Sequence, residues 1–313
     1  MDALLTYDYG KEKIKKMVEL GYNIILKEEK NLLYSDEFEN VEVLICYNPF
    51  KTLDISKFQN LKWIQLSSIG IDQLPIEKLI NQNIVVSNNQ GGYSKPMGEW
   101  VVLSILEILK NKKGIFVNQQ KKQWKMDTSV LELVNKKILF LGTGTIAKES
   151  AKRLKGFECL IDGINTSGRE QEYFNNVYKS TNINKIINEY DIVISTLPKI
   201  ESTFHYINKE FMDLMKKDSI LINVSRGEII DENELIYQLK SGKFLGVSLD
   251  VFENEPLGEA SELWGFDRVY ISSHNSWISE MKNERRFDMI YENLKRYKKN
   301  NKLINEVNYL RGY

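Results

Sequence analysis

The chain has 313 residues, more than one ordinary core needs and enough for two domains of about 150 residues each. Lysine plus arginine and aspartate plus glutamate both number 43, and a formal net charge of zero supplies no long-range field for nucleic acid or an anionic membrane. Hydrophobic residues make up 42%, yet the densest apolar run, residues 100–109, is broken by Glu107 and is too short to span a bilayer. The amino terminus carries Asp2 and Asp8 and no apolar export segment. Cys46 and Cys159 stand far apart in strand-like runs and read as small buried hydrophobes, not as a disulfide; the expected setting is reducing and cytoplasmic.

From residue 3 to 86 short apolar runs alternate with helical stretches. Residues 3–7, 23–26, 43–46, 63–66 and 84–86 read as strands, and 11–20 as a helix with Ile14, Met17 and Val18 on one face. Alternating βα units predict a parallel sheet covered on both faces, in a flavodoxin-like order. The loop Ser67-Ser68-Ile69-Gly70-Ile71-Asp72 follows a strand, and Gly70 lets backbone N–H groups approach an anion closely; a plain βα turn has the same spacing. Residues 88–96 cluster turn formers and read as the crossing between domains.

Pro96 then opens a helix with Ser94 as its candidate cap. Met97, Trp100, Val101, Leu103, Ile105, Leu106, Ile108 and Leu109 leave it apolar nearly all round, so it must be covered on several sides, and a homodimer is expected.

The strand at 137–141 leads straight into Gly142-Thr143-Gly144-Thr145-Ile146-Ala147, then a helix with Ile146, Ala147, Ala151 and Leu154 on one face, then a strand at 159–164. In that setting Gly142 makes the tight turn, Gly144 clears space for a pyrophosphate, Ala147 allows close helix packing, and the helix amino terminus at Thr145 and Ile146 supplies donors. Asp162 lies about 20 positions after Gly142 but inside the strand, whereas the ribose contact must come from the strand's carboxyl end, where Asn165 stands. A carboxylate there would repel the 2′-phosphate of NADP; Asn165 does not, and Thr166, Ser167 and Arg169 follow with donors. NADP is therefore favoured over NAD, with Arg169 as a merely solvated loop charge the competing reading.

Strands at 191–197, 219–224, 245–250 and 269–272 complete a Rossmann-type sheet, with Thr196-Leu197-Pro198 bordering the adenine side. Polar residues follow the last three: Arg226, Glu255 and His274. Ligands of an open parallel sheet bind outside the carboxyl ends of its strands, so a cation, a carboxylate and an imidazole gather at one crevice. His205, the other histidine, reads as a surface or packing residue, and two histidines with two dispersed cysteines give no cluster for a transition metal. A charged helix at 280–299 and a tail at 307–313 end the chain. The helix is expected to return to the first domain, giving a substrate domain of residues 1–95 and 284–313 and a dinucleotide-binding Rossmann domain of residues 96–283. The fold class is thus α/β, two doubly wound parallel-sheet domains.

With residues 142–147, residues 223–231, Asp250-Val251-Phe252-Glu253-Asn254-Glu255-Pro256 and Ser273-His274-Asn275 in this order, the chain resembles the D-isomer-specific 2-hydroxyacid dehydrogenases over nearly its whole length. The resemblance implies that Arg226, in the motif Val224-Ser225-Arg226-Gly227, binds the substrate's carboxylate and carbonyl, with Val224 and Ser225 against the cofactor. It implies that Glu255 orients His274, the acid and base, that Asp250 holds the nicotinamide amide, and that Ser68-Ile69-Gly70 offers backbone donors to the carboxylate. Departures are visible. Asn165 replaces a frequent aspartate, Ser272-Ser273-His274 replaces a frequent Thr-Pro-His, and the chain ends at Tyr313 without the regulatory extension of some serine-pathway members. Glu255, where formate dehydrogenases carry glutamine, argues against formate.

Reduction of a 2-oxo acid needs a hydride at carbon and a proton at oxygen. A carboxylate beside an imidazole fixes its tautomer and favours the charged ring, while a planar guanidinium grips a carboxylate and steadies negative charge on the carbonyl oxygen. The expected activity is hydride transfer between a nicotinamide cofactor and a small D-2-hydroxy acid or 2-oxo acid. The competing reading is a dinucleotide-sensing, corepressor-like interaction protein with little turnover. Aromatic residues such as Tyr47, Phe50, Tyr93 and Trp277 hint at an apolar or bulky substrate side chain.

Overall fold

The computed structural model describes residues 1–309; Leu310, Arg311, Gly312 and Tyr313, in the expected tail, lie outside the described residues. The chain divides into two compact units, Met1–Tyr93 with Ser279–Tyr313, and Ser94–Ile278.

The first unit holds β1 (Asp2–Leu5), α1 (Lys11–Glu19), β2 (Asn23–Leu26), β3 (Val41–Cys46), β4 (Trp63–Leu66), α2 (Ile76–Asn81) and β5 (Val85–Ser87). The strands are all parallel in the order β2-β1-β3-β4-β5, the flavodoxin-like order expected. Side chains alternate between two buried faces: Leu4, Leu44 and Ile64 enter one cluster, and Ala3, Val43, Ile45 and Trp63 the other. The second cluster is closed by a late helix, Lys282–Lys298, whose Phe287, Ile290 and Leu294 recur at helical spacing and are all buried. Its Asn293 Nδ2 donates to Gln65 Oε1 at 2.8 Å, and Gln65 in turn accepts from Ser87 Oγ at 2.8 Å, so the helix is keyed to the sheet by a buried polar chain. One expectation fails in α1: Met17 is buried and Ile14 partly so, but Val18 is 51% exposed. Val18 lies about 100° round the helix from Met17, beyond the narrow stripe that covers the sheet.

The second unit contains α3 (Ser94–Leu109), α4 (Lys112–Gln120), β6 (Lys137–Leu141), α5 (Thr145–Leu154), β7 (Leu160–Asn165), β8 (Asn176–Lys179), α6 (Ile183–Ile186), β9 (Ile192–Ser195), α7 (Lys209–Leu214), β10 (Ser219–Asn223), α8 (Glu232–Lys240), β11 (Phe244–Leu249) and β12 (Val269–Ile271). The returning helix of the first unit, Lys282–Lys298, is α9. Seven parallel strands run in the order β12-β11-β10-β9-β6-β7-β8. The chain therefore reverses its direction of winding between β6 and β9, the switch point where such sheets take ligands. β9, β10 and β11 are buried along nearly their whole length, which is why they read as continuous Ile, Val and Leu runs.

Helix α3 starts at Ser94, two residues before Pro96. Gly98 allows it to lie against α5: a Cβ there would stand 3.0 Å from the backbone carbon of Glu149. Met97, Val101, Ile105, Ile108 and Leu109 are buried while Leu103 is 46% exposed. In α5, Ala147, Ala151 and Leu154 are buried and Ile146 partly so, the face expected. Among the described residues no helix is long and apolar enough to cross a membrane.

Candidate active site

β10 ends at Asn223, whose buried amide turns the chain into the next loop. Its Oδ1 accepts from Ser225 N at 3.1 Å and Ser225 Oγ at 2.7 Å, and its Nδ2 donates to the Arg226 carbonyl at 2.8 Å. Arg226 leaves this turn in extended conformation, half-buried, with Nη1 donating to the Ser225 carbonyl at 2.7 Å. Gly227 follows because nothing larger fits: a Cβ would fall 1.8 Å from the carbonyl carbon of Phe252. The arginine turn is thus pressed against the loop after β11.

That loop carries Glu255. Its Oε1 accepts from the Phe252 N–H at 3.1 Å, which aims Oε2 at Nδ1 of His274, 2.9 Å away. An ionised carboxylate accepts only, so Nδ1 carries the proton and Nε2 is the ring atom left to face a substrate. The pair is partly open, with 39% of the histidine side chain and 37% of the glutamate side chain exposed. His274 sits at φ 53, a left-handed conformation that costs a residue with a side chain and persists only where its surroundings enforce it. Asp250 enforces it. This residue, 1% exposed, accepts through Oδ1 from Ser272 Oγ (2.6 Å) and Asn275 N (2.8 Å) and through Oδ2 from Ser276 N (3.0 Å), while its carbonyl accepts from His274 N (2.8 Å). A buried aspartate at the end of one strand therefore shapes the loop that presents the imidazole at the end of the next.

His205 is more than a packing residue. Its Nε2 lies 2.9 Å from Glu253 Oε1, its backbone N–H donates to the Glu228 carbonyl at 2.8 Å, and its ring stacks on Phe204 at 4.0 Å between centroids. Glu253 and Glu232 exchange bonds, each backbone N–H donating to the other's carboxylate, at 3.0 and 2.6 Å. The loops after β9, β10 and β11 are so tied together directly behind Arg226 and Glu255. His205, Asp231 and Glu253 also bring potential metal ligands within 4.8 Å of one another, contrary to the expectation that no such cluster forms. The short carboxylate contacts already made, including Asp231 Oδ1 accepting from Glu234 N at 3.1 Å, account for the cluster as a hydrogen-bonded strut.

Charge in this network is uneven. Burial pushes the Glu232 carboxyl above its ordinary value, and the Glu253, Glu228 and Glu255 charges add to this against the Glu253 N–H. Glu228 is also pushed up by burial, but Lys199 at 2.6 Å and the Arg226 charge outweigh it and leave its carboxyl below the ordinary range.

The glycine-rich turn after β6 has the form a dinucleotide requires. Gly142 is at φ +90, and Thr196, at the end of β9 across the switch point, donates its hydroxyl to the Leu141 and Gly142 carbonyls at 3.1 and 3.2 Å. Leu197 and Pro198 follow it. Gly144 caps α5 with no side-chain hydrogen bond, and nothing stands within 4 Å of where its Cβ would be. The first-turn N–H groups at Thr145 and Ile146 thus open on space fit for a phosphate. Val224 and Ser225, after β10, are buried, and Ser225 Oγ lies 2.9 Å from Ser195 Oγ at the end of β9.

Asn165 ends β7 as expected, and its amide organises the next loop. Oδ1 accepts from Ser167 N, Ser167 Oγ and Arg169 N at 3.1 to 3.2 Å, and Nδ2 donates to Thr143 Oγ1 (3.0 Å) and the Arg169 carbonyl (2.9 Å). Thr166 and Ser167 are exposed at the tip. Asp162 is interior and structural, accepting from Asn176 N, Asn176 Nδ2 and the Tyr190 hydroxyl.

In the first unit the loop after β4 folds on itself: Ser68 Oγ donates to the Gly70 carbonyl at 2.9 Å and Asn88 Nδ2 to the Ile69 carbonyl at 2.8 Å. Carbonyls of the loop are so turned inward and satisfied.

Residues 102–276, more than half of the chain, match the D-isomer specific 2-hydroxyacid dehydrogenase, NAD binding domain. A glyoxylate reductase of Thermofilum pendens is 33% identical over 221 residues, covering 69% of this chain and 65% of that protein. A glyoxylate/hydroxypyruvate reductase of Arabidopsis thaliana is 28% identical over 256 residues, 81% of this chain and 78% of that one. The crystal structure of a D-isomer specific 2-hydroxyacid dehydrogenase family protein from Aeromonas salmonicida superposes with a TM-score of 0.84 at 27% identity, covering 98% of each chain. The chain belongs to the D-isomer specific 2-hydroxyacid dehydrogenase family.

Proposed function

We propose that the protein reduces a small 2-oxo acid to the D-2-hydroxy acid, or runs the reverse reaction, with a nicotinamide cofactor. Membership of the family supports an NAD(P)-linked enzyme of hydroxy and oxo acids. The observation that carries the residue assignment is the 2.9 Å contact between Glu255 and His274 at adjacent strand ends.

In this reading the nicotinamide, when bound, supplies or receives the hydride. The chain's own residues do the rest. Arg226 holds the substrate carboxylate and steadies the charge that grows on the carbonyl oxygen. His274 gives that oxygen a proton from Nε2 and takes one back in the oxidative direction, while Glu255 keeps Nδ1 protonated and balances the charged ring. Backbone N–H groups of Ser68, Ile69 and Gly70 add donors to the carboxylate. Gly142, Gly144, Thr145 and Ile146 cradle the pyrophosphate, Thr196, Leu197 and Pro198 flank the adenosine half, and Asp250 reaches the nicotinamide amide with the acceptor capacity its loop contacts leave over. Asn165, Thr166, Ser167 and Arg169 receive the ribose, and the lack of a carboxylate there supports NADP over NAD. Glyoxylate and hydroxypyruvate, the substrates in the relatives' names, are the first compounds to try.

An initial-rate screen of glyoxylate, hydroxypyruvate, pyruvate and larger 2-oxo acids with NADPH and NADH tests the reading. Turnover of at least one is expected; cofactor binding without turnover of any would replace the enzyme by a dinucleotide sensor.

A further inference from the structure

Three polar groups of the first unit, Arg286, Tyr9 and Asn89, lie around Tyr93 with fewer hydrogen bonds than they can make. Arg286, on α9, is half-buried between the rings of Tyr7 and Tyr93, its guanidinium carbon 5.5 and 5.7 Å from their centroids. Its Nε donates to the Tyr93 hydroxyl at 2.8 Å, and that hydroxyl donates onward to the Ser67 carbonyl at 2.5 Å. The groups that face the guanidinium are the neutral phenols of Tyr93 and Tyr9, and among the described residues no carboxylate pairs with it. Next to it the Tyr9 hydroxyl is buried and faces the guanidinium, which acts on the phenol against the larger effect of burial, but the two make no well-aligned hydrogen bond. The Asn89 amide, 0% exposed, lies beside the Tyr93 hydroxyl, and neither its oxygen nor its nitrogen makes a well-aligned hydrogen bond. Asn89 is held to the same loop, its N–H donating to the Ser68 carbonyl at 2.8 Å.

A cation removed from water without a counter-charge is costly, and so is each orphaned buried polar atom. Proteins keep such groups where a ligand completes them. The donors match one kind of ligand. With Nε committed to Tyr93, the guanidinium presents its two terminal nitrogens, a fork that fits a carboxylate. Burial pushes the Tyr9 phenol up, so it stays protonated and able to donate at neutral pH. The position matters equally. Tyr93 bridges Arg286 to Ser67, the residue that opens the Ser68-Ile69-Gly70 loop, so a cation stands one phenol away from the donors assigned to the reacting carboxylate.

We propose that Arg286, with the Tyr9 hydroxyl and the Asn89 amide, forms a subsite for a second carboxylate at the far end of the substrate, so that 2-oxo dicarboxylic acids are preferred over monocarboxylic acids of the same length. This rests on the 2-oxo acid reductase reading and narrows its substrate class. It also replaces the apolar or bulky substrate end that the loop aromatics suggested: Tyr93, one of them, lends its ring face to Arg286.

The test compares kcat/KM for two pairs, oxaloacetate against 2-oxobutanoate and 2-oxoglutarate against 2-oxopentanoate, in the wild type, Arg286→Gln and Arg286→Lys. The wild type should favour one dicarboxylate or both by roughly 10- to 100-fold, the worth of one charge-assisted bidentate contact. Arg286→Gln should bring that ratio near one, mainly by raising KM for the dicarboxylate, and Arg286→Lys should retain part of it. No preference in the wild type, or an equal loss on both members of a pair, would overturn the proposal; the latter would make Arg286 a general carboxylate anchor or a structural residue. If no 2-oxo acid is reduced, the reductase reading fails first and the subsite is read by binding. Thermal stabilisation of the NADP-loaded wild type by D-malate, beyond that by D-lactate and absent in Arg286→Gln, supports it; equal stabilisation overturns it. Should Arg286→Gln not fold, Arg286→Lys and Tyr9→Phe carry the same comparison, with a weakened dicarboxylate preference expected in each and an unchanged one contradicting it.

Discussion

Oε2 of Glu255 lies 2.9 Å from Nδ1 of His274, and the other oxygen of the same carboxylate is pinned at 3.1 Å by the backbone N–H of Phe252. One oxygen is held so that the other can aim. Replacing Glu255 by glutamine keeps the shape but allows the amide NH2 to turn towards Nδ1, which stabilises the wrong tautomer. Glu255→Gln is expected to lower kcat for 2-oxo acid reduction by about 100-fold or more, with a smaller change in KM. Steady-state kinetics check this; an unaltered kcat would remove the pairing from the account.

The contact of Gly227 with the loop after β11 is equally specific. A Cβ at position 227 would meet Phe252 carbonyl carbon and oxygen at 1.8 and 2.0 Å, both backbone atoms that cannot swing aside. Gly227→Ala should therefore cost about 3 kcal/mol or more of stability, at the upper end of overpacking. It should also displace Arg226 relative to Glu255. Urea denaturation measures the first effect, and a near-neutral result would mean that the two loops are not pressed together.

In the proposed reading, cofactor choice turns on Asn165. Its amide oxygen collects Ser167 N, Ser167 Oγ and Arg169 N, and a carboxylate could accept the same bonds while adding a negative charge at the ribose end of β7. Asn165→Asp is expected to shift the ratio of kcat/KM for NADPH over NADH towards NADH by about 10-fold or more. A ratio that does not move would place the 2′-position elsewhere.

Glu232 gives a pH signature. Its folded-state value is raised from 4.5, chiefly by burial, so the folded protein holds this proton more tightly than the unfolded chain. Stability from this group is then greatest below 4.5 and declines as pH rises through the higher folded value, the opposite of a salt-bridged carboxylate. Glu232→Gln keeps an acceptor for the Glu253 N–H and removes the charge. Denaturation curves from pH 4 upward should show the variant gaining on the wild type as pH rises; a constant difference would exclude the linkage.

The sheets were readable from the sequence because strands buried on both faces leave continuous apolar runs, as in β9, β10 and β11. The motif residues were readable because chemistry at strand ends restricts residue type: Gly142 needs its positive φ, and Arg226, Glu255 and His274 follow apolar strands within six residues. What escaped notice depends on contacts between distant segments. Edge strand β8 is short and half-polar, and its pattern is that of a loop. His205 could not be joined to Glu253, nor Arg286 to Tyr93, because a lone histidine or arginine carries no sign of its partner. Val18 went astray for a related reason, since periodicity marks a face but not how much of it the sheet covers.

The central claim is that His274, set by Glu255, is the proton donor in 2-oxo acid reduction. It is tested most directly by comparing glyoxylate reduction in the wild type and His274→Ala at saturating reduced cofactor, with the cofactor's Kd measured on both proteins. The account predicts a rate loss of about 10²- to 10⁴-fold with Kd essentially retained. Retention of the rate, or a parallel loss of cofactor binding, would contradict it.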